Sequence, residues 1–468
     1  MANNKEMWLQ KAHKTIDELH KLQPKLNAVV SFVDVEKQVD EAMDKTGPLA
    51  GMPVILKDNV LYKGVRATAS SYMLDNYVAT YDATVVSKFK EAGAIIVAKS
   101  SLDELGMGGS NITSFTGPVH NPYDLSRIAG GSSGGSAALV ASGAVDLAIG
   151  TDTGDSIRKP AAFCGIVGFK PTYGRISRYG VIPYASSLDH VGYFTREVKL
   201  AAEALMLLSG RDDKDMTSIS TPLENVVEVL DESLANKRIG IFKNVLDAID
   251  DEDTRALFFD LMDKAKEQGA TLVDISMNSN LIKTVLPTYY IIANCEATAN
   301  HSNLDGVRFG THEDGDTLEE IMTNTRTKGF GPLIRKRFVI GSYGLMDENQ
   351  ELLLKKAQRV RRKLVEATEK MLESVDVIVA PASSHVAPKL NDPSIDQLSD
   401  KYLVAENYMV LGNFTGYPSI TIPMGMKNHL PLGINLLSKA YDEKTLLQIA
   451  FQLEKLTGLK GLKAKVEL

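Results

Sequence analysis

Two short Gly/Ser loops carry the residues best suited to covalent chemistry. The first, GGSSGGS, covers residues 130–136, and the second, TDTGDSIRKP, covers residues 151–160. Hydrolysis of an amide needs a serine oxygen close to a carbonyl carbon. It also needs backbone N–H groups aimed at the oxygen that becomes negative. Glycine lets a backbone come close to substrate and adopt conformations that side chains disfavour. Two such loops can therefore supply a nucleophile and an oxyanion hole. Phosphate cradling is the competing use of Gly-rich sequence. It is disfavoured here because there is no GxxxxGK[ST], and no G-x-G-x-x-G opens a helix after the first strand.

A serine nucleophile also needs a base, usually a histidine backed by a carboxylate. Of the eight histidines only His120 and His190 fall near the loops. His120 precedes the turn signal Asn121-Pro122, and both read as loop histidines satisfied by backbone. Lysine is the other candidate. Lys57 follows Val54, Ile55 and Leu56 and precedes Asp58 and Asn59. A lysine at the end of a buried strand is desolvated, which lowers its pKa toward that of a working base. Taken alone, a strand-end lysine is more often a solvated surface charge.

The elements that must position these residues alternate between helix and strand. PVILKDNV (53–60) is an apolar strand ending on a polar turn. A helix, a Gly turn and a buried strand follow one another over 83–100 and again over 256–276; 366–383 is a third helix–strand unit. This alternation predicts a layered α/β fold. Residues 4–21 have helical spacing, with Trp8, Ala12, Ile16 and Leu19 on one face. Residues 106–192 are dense in Gly and Ser, but apolar runs such as AALVASGAVDLAIG (137–150) mark them as buried structure instead of linker. Residues 212–237 read as a polar surface connection, and the short basic tail GLKGLKAKVEL reads as frayed.

Composition narrows the function classes. The 468 residues are 44% hydrophobic and 24% charged, the balance of a folded globular chain with a sizeable core. The net charge of −7 argues against a chain whose main task is gripping nucleic acid. Cys164 and Cys295 cannot form a disulfide framework and lack a metal-site spacing. With no apolar signal core and no apolar stretch of membrane-spanning length, the sequence predicts a cytoplasmic protein with no membrane association.

KDN at 57–59, GGSSGGSAA at 130–138 and GTDTGDSIRKP at 150–160 together resemble the amidase signature family. The resemblance implies one α/β/α layered domain over residues 1–468 around a large mixed β-sheet, with its signature core at about residues 50–200. It implies Lys57 as base, Ser132 as proton relay at a cis peptide, and Ser156 as nucleophile. Backbone N–H groups of Thr153, Gly154, Asp155 and Ser156 would form the oxyanion hole, braced by Asp152 and Arg158. No metal or organic cofactor is implied for this chain. The family usually has glycine where Asp155 stands. The backbone N–H survives that change, and the carboxylate is expected to point outward.

Stretches outside the signature, among them 170–181, 286–310, 328–345 and 413–423, make the chain similar to the glutaminase subunits of tRNA-dependent amidotransferases within that family. That similarity implies glutamine as substrate, with Arg337 for its carboxylate, Tyr289 in the pocket and Glu406 for its ammonium. The family usually has aspartate at the last position. It implies a heterotrimer with the amidotransferase B and C subunits, and ATP and Mg held by a partner. Aminoacyl-tRNA, as Glu-tRNA(Gln) or Asp-tRNA(Asn), would be held mainly through the B subunit. The residues also admit blander readings: RKR around Arg337 as a solvated face, and Tyr289-Tyr290 as core. Two other functions compete, a free-standing amidase of small organic amides and an inactive scaffold suggested by Asp155.

Overall fold

A computed structural model of the chain describes residues 2–392 and 400–467. Its strands are β1 (Val29–Phe32), β2 (Pro53–Lys57), β3 (Ile95–Ser100), β4 (His120–Asn121), β5 (Asp124–Ile128), β6 (Leu147–Asp152) and β7 (Val167–Lys170). They continue with β8 (His190–Thr195), β9 (Arg238–Phe242), β10 (Thr271–Ile275), β11 (Val377–Pro381), β12 (Ser419–Lys427) and β13 (Leu430–Leu437). Among the described residues, eleven of them form one sheet in the order β1-β3-β2-β6-β8-β7-β12-β13-β11-β9-β10, while β4 and β5 form a separate ribbon.

The sheet is mixed. β3, β2 and β6 run parallel at one side, and β10, β9 and β11 run parallel at the other. β8, β7, β12 and β13 join the two groups through antiparallel pairs. Every residue of β2, β3, β6 and β8 is buried. Both faces of the sheet are therefore covered, which explains why these strands read as continuous apolar runs instead of alternating ones. This is the layered α/β architecture expected from the helix–strand alternation.

The three expected helix–strand units are present. The helices Thr84–Glu91, Glu252–Glu267 and Leu354–Leu372 lead into β3, β10 and β11. The Gly/Ser-rich middle is interior: all eight residues of the helix Gly134–Ala141 are buried. Its small side chains let it lie close to the sheet.

Two expectations need correction. The first helix runs over Ala2–Leu26, longer than the periodic stretch suggested. Trp8, Ala12 and Leu19 are buried, as their spacing required, and further apolar contacts at Leu22 and Leu26 carry the helix onward. The C-terminal tail is docked, not frayed. Gly461 N–H donates to Arg196 O at 3.2 Å and Ala464 N–H to Ala141 O at 2.9 Å, with the Ala464 methyl buried. Residues 212–237 contain no helix or strand, yet they bury Val226, Leu230 and Leu234 against the main core. Among the described residues no helix is long and apolar enough to cross a membrane.

Candidate active site

Strands β2 and β6 are parallel neighbours, with Val54 opposite Leu147 and Ile55 opposite Ala148. Their carboxyl ends therefore emerge side by side, the usual position for a site in an α/β sheet. β2 delivers Lys57 there, and β6 delivers Thr151 and Asp152 followed by the second Gly/Ser loop. The first loop meets them from the side, just before the helix Gly134–Ala141.

The Lys57 side chain is wholly buried. Its Nζ is 2.8 Å from Ser132 Oγ, 2.8 Å from Ser133 Oγ and 2.9 Å from Thr151 Oγ1. No carboxylate pairs with it among the described residues. Burial drives its pKa from 10.5 down to about 7, against the opposing pull of Asp103, Asp152 and Asp189. That shift favours the neutral amine by roughly 5 kcal/mol. A neutral amine hydrogen-bonded to a serine is what a base with a serine relay requires.

Ser132 is held through its backbone. The Gly131–Ser132 peptide is cis, and Ser132 O accepts from Asp103 N–H at 3.1 Å. A Cβ at Gly131 would lie 2.0 Å from Asp103 Oδ2, so only glycine fits. Ser133 N–H donates to Ser156 O at 3.2 Å, which ties the two loops together. Among the described residues, the N–H groups of Thr153, Gly154, Asp155 and Ser156 donate to no protein acceptor. Four consecutive free N–H groups beside a serine form a nest for an anion.

Behind this loop lies a closed polar network. Arg158 Nε donates to Asp152 Oδ2 at 3.1 Å and Nη2 to Oδ1 at 2.9 Å, both residues being fully buried. Arg158 also donates to Gly154 O at 2.8 Å, Met409 O at 2.7 Å and Asn413 Oδ1 at 2.6 Å. Asn413 Nδ2 returns a bond to Asp152 Oδ1 at 2.9 Å. Burial alone would raise the Asp152 carboxyl; the Arg158 guanidinium overrides it and holds the group well below the usual carboxylate range. Thr153 is fixed from the other side, its hydroxyl donating to Asp189 Oδ1 at 2.7 Å.

In front of the loop opens a cavity of about 230 Å³ lined by Asp155, Lys159, Tyr289, Arg337 and Glu406, among others. The helix Val285–Asn300 brings Tyr289 and the helix Pro332–Leu345 brings Arg337. Tyr289 packs over the loop: a Cβ at Gly154 would meet its Cζ at 3.0 Å. Arg337 Nη1 donates to Tyr184 Oη at 2.5 Å, and its guanidinium lies over the Tyr290 ring, 5.3 Å from the centroid. Arg337 is thus neither part of a solvated face nor paired with a carboxylate among the described residues. The Asp155 side chain lines this cavity and does not turn outward as expected. A second cavity, about 280 Å³, lies on the Thr151 and Thr153 side of the loop.

The amidase family profile matches residues 12–447. The chain is 39% identical to the A subunit of glutamyl-tRNA(Gln) amidotransferase from Sulfurihydrogenibium sp., over 94% of its length and 92% of that protein. It is also 39% identical to the corresponding A subunit from Carboxydothermus hydrogenoformans, covering 97% of this chain and 95% of the relative. The chain belongs to the amidase family.

Solved amidase-family structures agree with the fold. The crystal structure of the glutamyl-tRNA(Gln) amidotransferase A subunit from Thermotoga maritima superposes with a TM-score of 0.81 at 33% identity, covering 100% of this chain and 96% of that one. The peptide amidase from Stenotrophomonas maltophilia gives 0.80 at 27% identity, covering 99% and 95%. The expected family and the fold built on a large mixed sheet are both borne out.

Sequence reasoning did not find four residues of this amidase site. Ser133 and Thr151 complete the cradle of Lys57, Asn413 closes the Arg158 network, and Lys159 lies in the cavity wall. Ser133, Thr151 and Lys159 stand inside the two loops, and Asn413 opens the segment 413–423. Their positions were visible, but their partners were not. His120 and His190 bond backbone carbonyls of Leu125 and Leu188 at 2.6 and 2.7 Å, as expected, but they open strands β4 and β8 instead of lying in loops. Among the described residues no group of three or more His, Cys, Asp or Glu side chains could hold a metal ion.

Proposed function

We propose that this chain is the glutaminase component of a tRNA-dependent amidotransferase and works as a single amidase unit through a Ser156-Ser132-Lys57 triad. The observation that carries the reading is the desolvated Lys57 amine, 2.8 Å from Ser132 Oγ, beneath a loop of free N–H groups that faces an unpaired Arg337. The likeness to A subunits of glutamyl-tRNA(Gln) amidotransferases over nearly the whole chain supports the same reading.

The chemistry follows from the geometry. Glutamine enters with its carboxylate toward Arg337, in the fork geometry that guanidinium favours. Ser156 Oγ attacks the side-chain amide carbon, and its proton passes through Ser132 to neutral Lys57. The carbonyl oxygen becomes negative against the N–H groups of residues 153–156. The carbon–nitrogen bond then breaks. The proton held by Lys57 returns through Ser132 to the leaving nitrogen, which departs as ammonia. Water attacks the Ser156 ester by the same relay and releases glutamate. Ammonia then serves the B and C subunits of the complex. There, ATP and Mg activate Glu-tRNA(Gln) or Asp-tRNA(Asn), held mainly through the B subunit.

Ammonia release from glutamine by the full chain, alone and with its partner subunits, ATP and Glu-tRNA(Gln), tests the reading. Release that rises in the mixture and disappears in Ser156→Ala is the predicted outcome. Ready cleavage of simple organic amides, with no response to partners, would instead assign a free-standing amidase.

A further inference from the structure

The cavity lined by Asp155 and Tyr289 holds four charged side chains, and they divide into two pairs. Lys159 and Glu406 are closed on each other. Lys159 Nζ is 2.7 Å from Glu406 Oε2 and donates to Ala382 O at 2.9 Å, while Glu406 Oε1 accepts from Ser384 N–H at 2.7 Å. Burial opposes ionisation of Glu406, but Lys159 prevails and keeps its carboxyl low, at about 2. Both Glu406 oxygens are thus already engaged, one of them by a cation.

Asp155 and Arg337 make no such closure. Among the described residues, the Asp155 carboxylate takes neither a hydrogen bond nor an ion pair, and Arg337 has no carboxylate partner. Burial raises the Asp155 carboxyl to about 6 even though the Lys159 and Arg158 charges pull it down, so the cations around it do not offset its desolvation. One carboxylate and one guanidinium without ionic partners in a single cavity match the ammonium and carboxylate of an α-amino acid. Asp155 also directly precedes Ser156 in the chain, so the carboxylate belongs to the loop that carries the nucleophile.

We propose that Asp155 is the residue that holds the α-ammonium of the amino-acid substrate, opposite Arg337, and that Glu406 acts only by fixing Lys159 in the wall. The assignment rests on the glutaminase reading. Placing the ammonium on Glu406 would set two cations, the substrate's and Lys159, on one carboxylate in a poorly solvated cavity, where like charges repel strongly. Asp155 is thereby a specificity residue, separate from the N–H group that its backbone contributes to the loop.

The test compares glutamine with glutaramate, which keeps the amide and the carboxylate but lacks the amino group. Ammonia release by the full chain in its subunit mixture gives kcat/KM for each. The ratio of the two cancels changes to the shared chemistry. Asp155→Asn and Asp155→Gly are each expected to lower the glutamine-to-glutaramate ratio by about tenfold or more, as for loss of a charged hydrogen bond. Glu406→Gln made together with Lys159→Met is expected to keep the ratio within about threefold, since the pair is removed without changing the net charge around the ammonium. A ratio preserved in both Asp155 variants and lost in the Glu406→Gln, Lys159→Met double variant would overturn the assignment and leave the glutaminase reading intact. Failure of the unsubstituted chain to release ammonia from glutamine in that mixture would overturn both.

Discussion

Asp152 and Arg158 lie behind the second Gly/Ser loop, and Asp155 and Arg337 lie in front of it. The rear pair is fully buried, doubly hydrogen-bonded and capped by Asn413, so every charge is answered within the chain. The front pair borders a cavity, and neither member has an ionic partner among the described residues. Charges that close on one another hold a backbone in place. Charges left open beside a nucleophile mark where a ligand supplies the missing partner. Lys57 belongs with the front group: it is buried, bonded to hydroxyls, and paired with no carboxylate among the described residues.

Substitutions can sharpen this contrast or break it. Lys57→Met is expected to cut kcat for glutamine hydrolysis by about 10²–10⁴-fold, the range for losing a general base. Its unfolding free energy in urea should hold or rise, because no buried ion pair is broken. Arg158→Met should do the reverse. It strands the buried Asp152 carboxylate, and a loss of about 3–5 kcal/mol in urea unfolding is expected. If Arg158→Met unfolded at the unsubstituted midpoint, the rear network would not be a brace.

A smaller effect is expected from Arg337→Met. Losing a charge-assisted bond to the substrate carboxylate should raise KM for glutamine by about 10–100-fold, with little change in the unfolding midpoint. Equal loss of stability would place Arg337 with the rear group. The smallest effect is the pH response. Lys57 acts as a base only when neutral, and its pKa of about 7 lies far below the usual lysine value. Raising the pH deprotonates it, so kcat should climb by about tenfold between pH 6 and pH 8 and then level. A profile flat across that window would remove Lys57 from the role of base.

Much of this arrangement was legible in the sequence. Lys57 ends an apolar strand, and the two loops keep Ser132 and Ser156 at motif spacing, so the parts of the site could be named before they were assembled. The strands gave themselves away through unbroken apolar runs joined to amphipathic helices. What could not be read was which side chains partner each other. Lys159 is 247 positions from Glu406 in the chain, and nothing local to either residue predicts their ion pair. The place of Asp155 was hidden for the same reason, since the cavity it lines is walled by residues as distant in sequence as Arg337 and Glu406. The docked tail likewise depends on Arg196 and Ala141, both far from it in sequence.

The central claim is that Ser156 becomes acylated. Incubating the full chain and its partner subunits with glutamine, quenching in acid within one turnover and digesting for mass spectrometry tests it most directly. The account predicts that the peptide carrying Ser156 gains the mass of one γ-glutamyl group, and that Ser156→Ala shows no adduct on any residue. Glutamine hydrolysis that persists in Ser156→Ala, or an adduct mapped to another side chain, would contradict it.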